Sequence, residues 1–353
     1  MPYVPWQSHY VWLPVTLLLV LLTSCNVSAR GVAQQEVPTV TELPLATATE
    51  LSLEHSERIR ARISLPPGAQ SVAFGNQSIW VAIPAERRIS RIDVGTDKLV
   101  DSAIPLDFEP REIAYGEGAV WVVSTDRTSL ARIDPQTNEV IAAIDLRSLQ
   151  IPTFNLVLIA AGEGAVWITD QTMVIQIDPQ TNQIVGQPLP AGEEIIVAAL
   201  GHGTFWTGSH DDGIVTRVDS RTNRVVAKIE VGFSVHGLAV DEESAWVLDE
   251  HGFAVVRIDP KSNQLQERIP IDYVAANLAA GAGSIWVAPA ARDGGRSTGN
   301  DGIARISSDE KQIVEKIHVG DVPASEYYAV YFVEGSIWVL IVTPQMNVLQ
   351  IAP

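Results

Sequence analysis

Short apolar runs, rich in Val, Ile and Ala, recur from Arg58 to Pro353 and are broken at regular places by Gly, Asn, Asp and Pro. Where the runs alternate they do so with a period of two, as in Val225-Val226-Ala227-Lys228-Ile229, and no stretch holds a helical period. Strands are therefore predicted throughout. Three columns keep phase with one another. The first is Trp80, Trp121, Trp167, Trp206, Trp246, Trp286 and Trp338, mostly about 40 residues apart, the period of a four-stranded propeller blade. The second, upstream of each tryptophan, is Ile63, Ile104, Ile144, Leu189, Ile229, Ile269 and Ile317; five of these seven intervals are 17 residues and the others 23 and 21. The third is the strand Arg91-Ile92-Asp93 with its counterparts at Arg132, Gln176, Arg217, Arg257 and Arg305, whose aliphatic residue lies 11 or 12 residues before the next member of the second column.

Each unit reads as strands A to D, with the tryptophan on B and the Arg-Ile-Asp segment on C. The following turn, Asp134-Pro135-Gln136-Thr137-Asn138, returns at Asp178 to Asn182 and, with changes, at Asp219 to Asn223 and Asp259 to Asn263. Proline presets φ for a type I turn and Asn tolerates the left-handed residue that closes the hairpin. The segment Asn347-Val348-Leu349-Gln350-Ile351 is a strand C with no strand D after it, and Arg58 to Ile63 supplies the missing strand. The expected fold is all-β: a seven-bladed β-propeller of four-stranded antiparallel blades over 58–353, closed by the N-terminal strand in the last blade. The tryptophans are expected to pack between blades.

In a propeller the A–B and C–D turns share one face, and the B–C and D–A connections share the other. Every insertion falls on the second face: Leu146 to Asn155, Ala290 to Asp301, and Val319 to Tyr328. One-sided elaboration marks a binding face. The polar, glycine-rich Ala290 to Asp301 segment reads equally as a lid or as an insertion without function; it lacks the Gly-Lys-Ser/Thr of a phosphate loop. The residue ten before each tryptophan, and the one two before that, should reach the channel mouth on this face. Glu109, Arg111, Glu194, His236, Glu326 and Tyr328 are the binding-face candidates on that reasoning. His210-Asp211-Asp212 offers cation-ligand chemistry but reads as solvated surface, so no metal is assigned. No serine nucleophile elbow and no His-Glu-x-x-His is present.

The motifs Gly-x-Gly-x-x-Trp-Val and Arg-Ile-Asp-Pro-x-Thr-Asn resemble those of the bacterial seven-bladed propellers that include virginiamycin B lyase and the surface-layer-like, YVTN-type repeat proteins. For the lyases the resemblance implies lactone opening by elimination, with Mg²⁺ and a histidine general acid. It also implies a site with His ten before the tryptophan in two successive blades, Glu two before one of them and Glu fourteen after it. His236-Gly237-Leu238 resembles the family's His-Gly-Ile, and Glu250 lies fourteen residues on. Ser234 stands where the upstream Glu is required, and Ile196 and Ala276 where the second His is required. Arg111 occupies the histidine column after Glu109-Pro110, and a guanidinium cannot shuttle protons near neutral pH. His251, beside Glu250, is a further imidazole outside the family pattern.

Residues 1–24 read as a targeting segment: the apolar run Val11 to Leu22, broken by Pro14, is too short to span a bilayer comfortably. Leu22-Thr23-Ser24-Cys25 resembles a bacterial lipobox, which implies cleavage before Cys25 and a diacylglyceryl anchor on its thiol; Met1 to Tyr10 departs from such signals in having no Lys or Arg. A plain signal peptide or uncleaved anchor is the alternative. Residues 25–57, without an aromatic side chain, read as a flexible tether. Acidic residues number 42 against 24 basic, a formal charge of −18 that argues against nucleic acid and against docking on anionic lipid. The expectation is a monomeric, membrane-anchored extracytoplasmic lipoprotein, without cofactor, that acts as a non-catalytic scaffold for an unknown protein or small ligand. The alternative is a Mg²⁺-dependent lyase centred on His236 and Glu250, with His251 beside them.

Overall fold

The computed structural model describes residues 58–100, 103–150, 158–249, 251, 253–290, 302–319, 327–342 and 346–353, with the backbone only of Tyr327 and Tyr328. Cys25, the tether, Glu250, Glu326 and most of the three insertions lie outside these residues. Seven antiparallel sheets follow one another in chain order. Blade four shows the pattern: strand A is Ile195–Gly201, B is Thr204–Ser209, C is Ile214–Asp219 and D is Arg224–Glu230. Blade five repeats it with Val235–Val240, Ala245–Asp249, Ala254–Asp259 and Gln264–Pro270. Blade one differs, because its outer strand is split into Lys98–Leu99 and Ile104–Pro105, both paired with Arg88–Asp93. In blade seven the outer strand is Ile59–Ser64, paired antiparallel with Asn347–Ile351. The ring is closed by the N-terminal strand, as the repeat requires.

Inner strands are buried on both faces, whereas outer strands alternate, as in the exposed–half-buried rhythm of Arg224–Glu230. All seven column tryptophans are buried between blades, Trp338 the most accessible at 4%. Trp167 stacks on Phe205 of the next blade with ring centroids 4.9 Å apart and planes 3° apart. The Gly-x-Gly-x-x-Trp spacing has a concrete cause. The indole N–H of Trp80, Trp121 and Trp206 donates to the carbonyl of the residue five before it, Gly75, Gly116 and Gly201, at 3.1–3.2 Å. Those glycines end strand A against the next blade; a Cβ on Gly75 would fall 1.9 Å from the Tyr115 ring.

Opposite each tryptophan, strand C places Arg91, Arg132, Gln176, Arg217, Arg257, Arg305 or Gln350. The arginines lie over their own blade's indole and several reach the next blade's C–D turn. Arg217 has its guanidinium carbon 4.3 Å from the Trp206 ring and donates to Pro260 O at 2.6 Å and Asn263 Oδ1 at 2.5 Å. Arg91 and Arg132 make the same pair of bonds to Pro135 and Asn138 and to Pro179 and Asn182. The turn asparagines adopt the left-handed conformation expected of them, with φ of 57° at Asn138 and 58° at Asn182. Strands A surround an apolar central channel of about 380 Å³ lined by small residues such as Ala73, Ala114, Ala160, Ala199, Ala239 and Ala279. Polar chemistry is therefore pushed to the channel mouths.

Candidate functional site

On the B–C and D–A face, blades four and five bring three histidines and two carboxylates together. Glu194 precedes strand A of blade four with φ of 56°, and His210 N donates to its carbonyl at 3.0 Å, which clamps the A and B strand ends together. His210 Nδ1 then lies 3.1 Å from Glu194 Oε2 and 3.0 Å from Asp211 Oδ1. Asp212, adjacent in sequence, turns the other way: it accepts from Glu193 N at 3.1 Å and Ile214 N at 3.2 Å, and from the Ser209 hydroxyl. It braces the loop and leaves Asp211 to face Glu194.

His236 enters from strand A of blade five. Its side chain is buried, 2% exposed, and its ring stands edge-on to His210 with centroids 5.0 Å apart. Nδ1 donates to Ser234 O at 3.1 Å, so Ser234, in the position of the family's glutamate, contributes its backbone carbonyl instead. That bond sets the tautomer with the proton on Nδ1. The His251 ring lies 5.4 Å beyond, on the B–C loop of blade five. Asp249, at the end of strand B, anchors that loop through a 2.6 Å ion pair to Arg268 on the outer strand. Burial, and next the contact with Asp211, push the Glu194 carboxyl above its ordinary value, while His210 opposes the rise. Hydrogen bonds from His210 and Glu194 hold Asp211 below its own. Two carboxyls in contact cannot both ionise freely.

The candidates from blade two form a separate group. Glu109 is exposed and pairs loosely with Arg87 at 3.9 Å. Arg111 is buried, 7% exposed, beside Glu112, which the sequence reading did not single out. Glu112 is fully buried and accepts from the Ser71 hydroxyl at 3.1 Å, and its Oε1 has no hydrogen-bond partner among the described residues. Desolvation pushes its carboxyl up to about 8 against the opposing pull of Arg111, Ser71 and Arg127. The signal available in the sequence was an acid inside the apolar run of a strand A. Glu194 and His236 meet around His210. Of Glu326, Glu250 and the Tyr328 side chain nothing is described.

No family model matches the sequence, and no curated protein matches it significantly. The fold is similar to solved structures of virginiamycin B and streptogramin B lyases. Virginiamycin B lyase from Staphylococcus aureus, in selenomethionine form, superposes with a TM-score of 0.62 at 17% identity, covering 82% of this chain and 98% of that one. A streptogramin B lyase gives 0.61 at 15% identity, with 82% and 97% covered. A catalytically inactive histidine-to-alanine variant of the Staphylococcus aureus lyase with quinupristin gives 0.62 at 16% identity, with 82% and 98% covered. At these identities the likeness is one of fold: a seven-bladed propeller resembling virginiamycin B lyase.

Proposed function

We propose that this chain is an extracytoplasmic, lipid-anchored propeller that recognises a small ligand or protein partner through the mouth formed by blades four and five, without catalysing a reaction on it. The observation that carries this reading is the convergence of His210, His236, Glu194 and Asp211 on the face that also receives every insertion. A cluster of fixed polar groups beside an apolar channel suits orientation of a ligand. The lyase arrangement of two histidines in the tenth-before-tryptophan column is unmet in blade four, where Ile196 stands. Recovery of partners on the immobilised protein from envelope extracts should fall with His236→Ala and with deletion of the Ala290–Asp301 loop; recovery unchanged by both would end the assignment of this face. Cys25→Ser should release the protein from the membrane fraction, and palmitate labelling unaffected by that substitution would remove the anchor.

A second reading, a Mg²⁺-dependent streptogramin B lyase-like enzyme, is favoured by one observation. The buried His236 has its Nδ1 held by a backbone carbonyl, the arrangement that makes Nε2 the proton-accepting nitrogen of a general acid–base. Incubation with a streptogramin B depsipeptide, with and without Mg²⁺, separates the two readings. Ring opening detected by mass and abolished by His236→Ala establishes the enzyme and displaces the scaffold.

A further inference from the structure

We propose that Glu194, His210 and Asp211 form a binding site for a divalent transition cation of the Zn²⁺ type at the channel mouth of blade four. The proposal needs only the geometry of that blade and goes beyond the recognition of a ligand by the face as a whole. The three ligand atoms, one imidazole nitrogen and two carboxylate oxygens, all lie within 4.8 Å of one another. Nδ1 of His210 is 3.1 Å from Glu194 and 3.0 Å from Asp211. Ligands held about 2.0–2.2 Å from a common Zn²⁺ sit roughly 3.0–3.5 Å apart, so small side-chain adjustments bring all three onto one ion.

Both carboxylate oxygens face the same imidazole nitrogen. A single ring nitrogen carries at most one proton, and two acceptor oxygens compete for it. A divalent ion satisfies all three groups in one step. The donor set chooses the ion. One imidazole with two carboxylates suits Zn²⁺ and its neighbours, whereas Mg²⁺ prefers oxygen ligands in an octahedron that retains water. The His210 ring is held by its neighbour: His236, buried and tied to Ser234 O at 3.1 Å, stands edge-on against it. Side-chain exposures of 32% at His210, 40% at Glu194 and 61% at Asp211 leave an approach from solvent for the ion and for an exogenous ligand.

Equilibrium dialysis of the purified full chain against Zn²⁺ in chelator-treated buffer, with bound metal read by atomic emission, tests the site. One equivalent is expected per chain, weakened about tenfold or more, or roughly 1.4 kcal/mol, by His210→Gln and by Asp211→Asn. Glu193→Gln, an exposed neighbour outside the trio, should leave it unchanged. Zn²⁺ should raise the unfolding midpoint of the wild type and not that of the doubly substituted chain, which shows that each variant folds. No binding by the wild type at millimolar Zn²⁺ overturns the site, as does binding undiminished by both substitutions. Mg²⁺ bound as tightly as Zn²⁺ overturns the choice of ion. Because the readout is the metal alone, failure here is distinct from failure of partner capture.

Discussion

Burial removes solvent from the Glu112 carboxyl on all sides and raises it from 4.5 to about 8, with Arg111, Ser71 and Arg127 pulling the other way. Between those values the folded protein holds a proton that the unfolded chain has released. Stability contributed by this group is therefore present below about pH 4.5 and is lost as pH rises toward 8, by about 1.4 kcal/mol for each pH unit of the window. Glu112→Gln should flatten the fall of unfolding free energy across that window and leave the variant the more stable protein above pH 8, as urea titrations at several pH values would reveal. A wild-type profile that rises from pH 5 to 8 would contradict the assignment. The buried tryptophans belong to the same scale. Trp167→Ala leaves an empty slot against Phe205 and should cost about 3–5 kcal/mol. Denaturant midpoints would show a loss below 1 kcal/mol if the ring were only loosely packed.

Blades are joined by strands C and their turns as much as by apolar packing. Arg217 is 8% exposed, stacks on Trp206 and donates to two acceptors of the blade five turn. Lysine offers a point charge without the planar fork, so Arg217→Lys should lose about 1–3 kcal/mol. The measurement is the free energy of unfolding of Arg217→Lys beside that of Arg224→Lys, an exposed outer-strand control; equal losses would mean that the latch contributes nothing special. A second set of links runs along the same face, away from the candidate site. Glu117 accepts from Gly164 N at 2.9 Å, Glu163 from Gly203 N at 3.1 Å, and Glu334 from Asn76 N at 2.9 Å, each tying an A–B turn to that of the next blade.

Closure of the ring is a property of the whole molecule. Ile59–Ser64 completes blade seven, Leu65 N donates to Met346 O at 3.0 Å, and Glu334 of the last blade caps the first turn of blade one. These contacts join the two ends of the repeat array, so the loss of one outer strand exposes a sheet edge and opens the ring together. A chain beginning at Arg58 should melt where the full chain does. One beginning at Pro66 should melt well below it and associate, through the uncovered Asn347–Ile351 edge, into species visible by light scattering. Equal melting temperatures for the two would remove the closing strand from any role in stability.

Sequence alone was enough for the fold because the blade is a local object. Trp, Gly, Arg and the Asp-to-Asn turn recur at fixed offsets, several of these offsets are bonds within a blade or to the next one, and seven repetitions make the period unmistakable. Even the arginine latch lay in view as a column, although only the superposed blades show that its partner is the neighbouring turn. The site was legible one residue at a time: Glu194 and His236 followed from the strand A register, whereas His210-Asp211-Asp212 read as solvated surface. Their meeting was not legible, since Glu194 and His210 are joined by a backbone bond across two strands and His236 arrives from another blade. Glu112 was hidden for the same reason, its burial being set by the blade beside it. Period fixes what each residue does within its own sheet. Which side chains share a volume depends on how the sheets are wound around the channel, and that distance information exists only once the ring is closed.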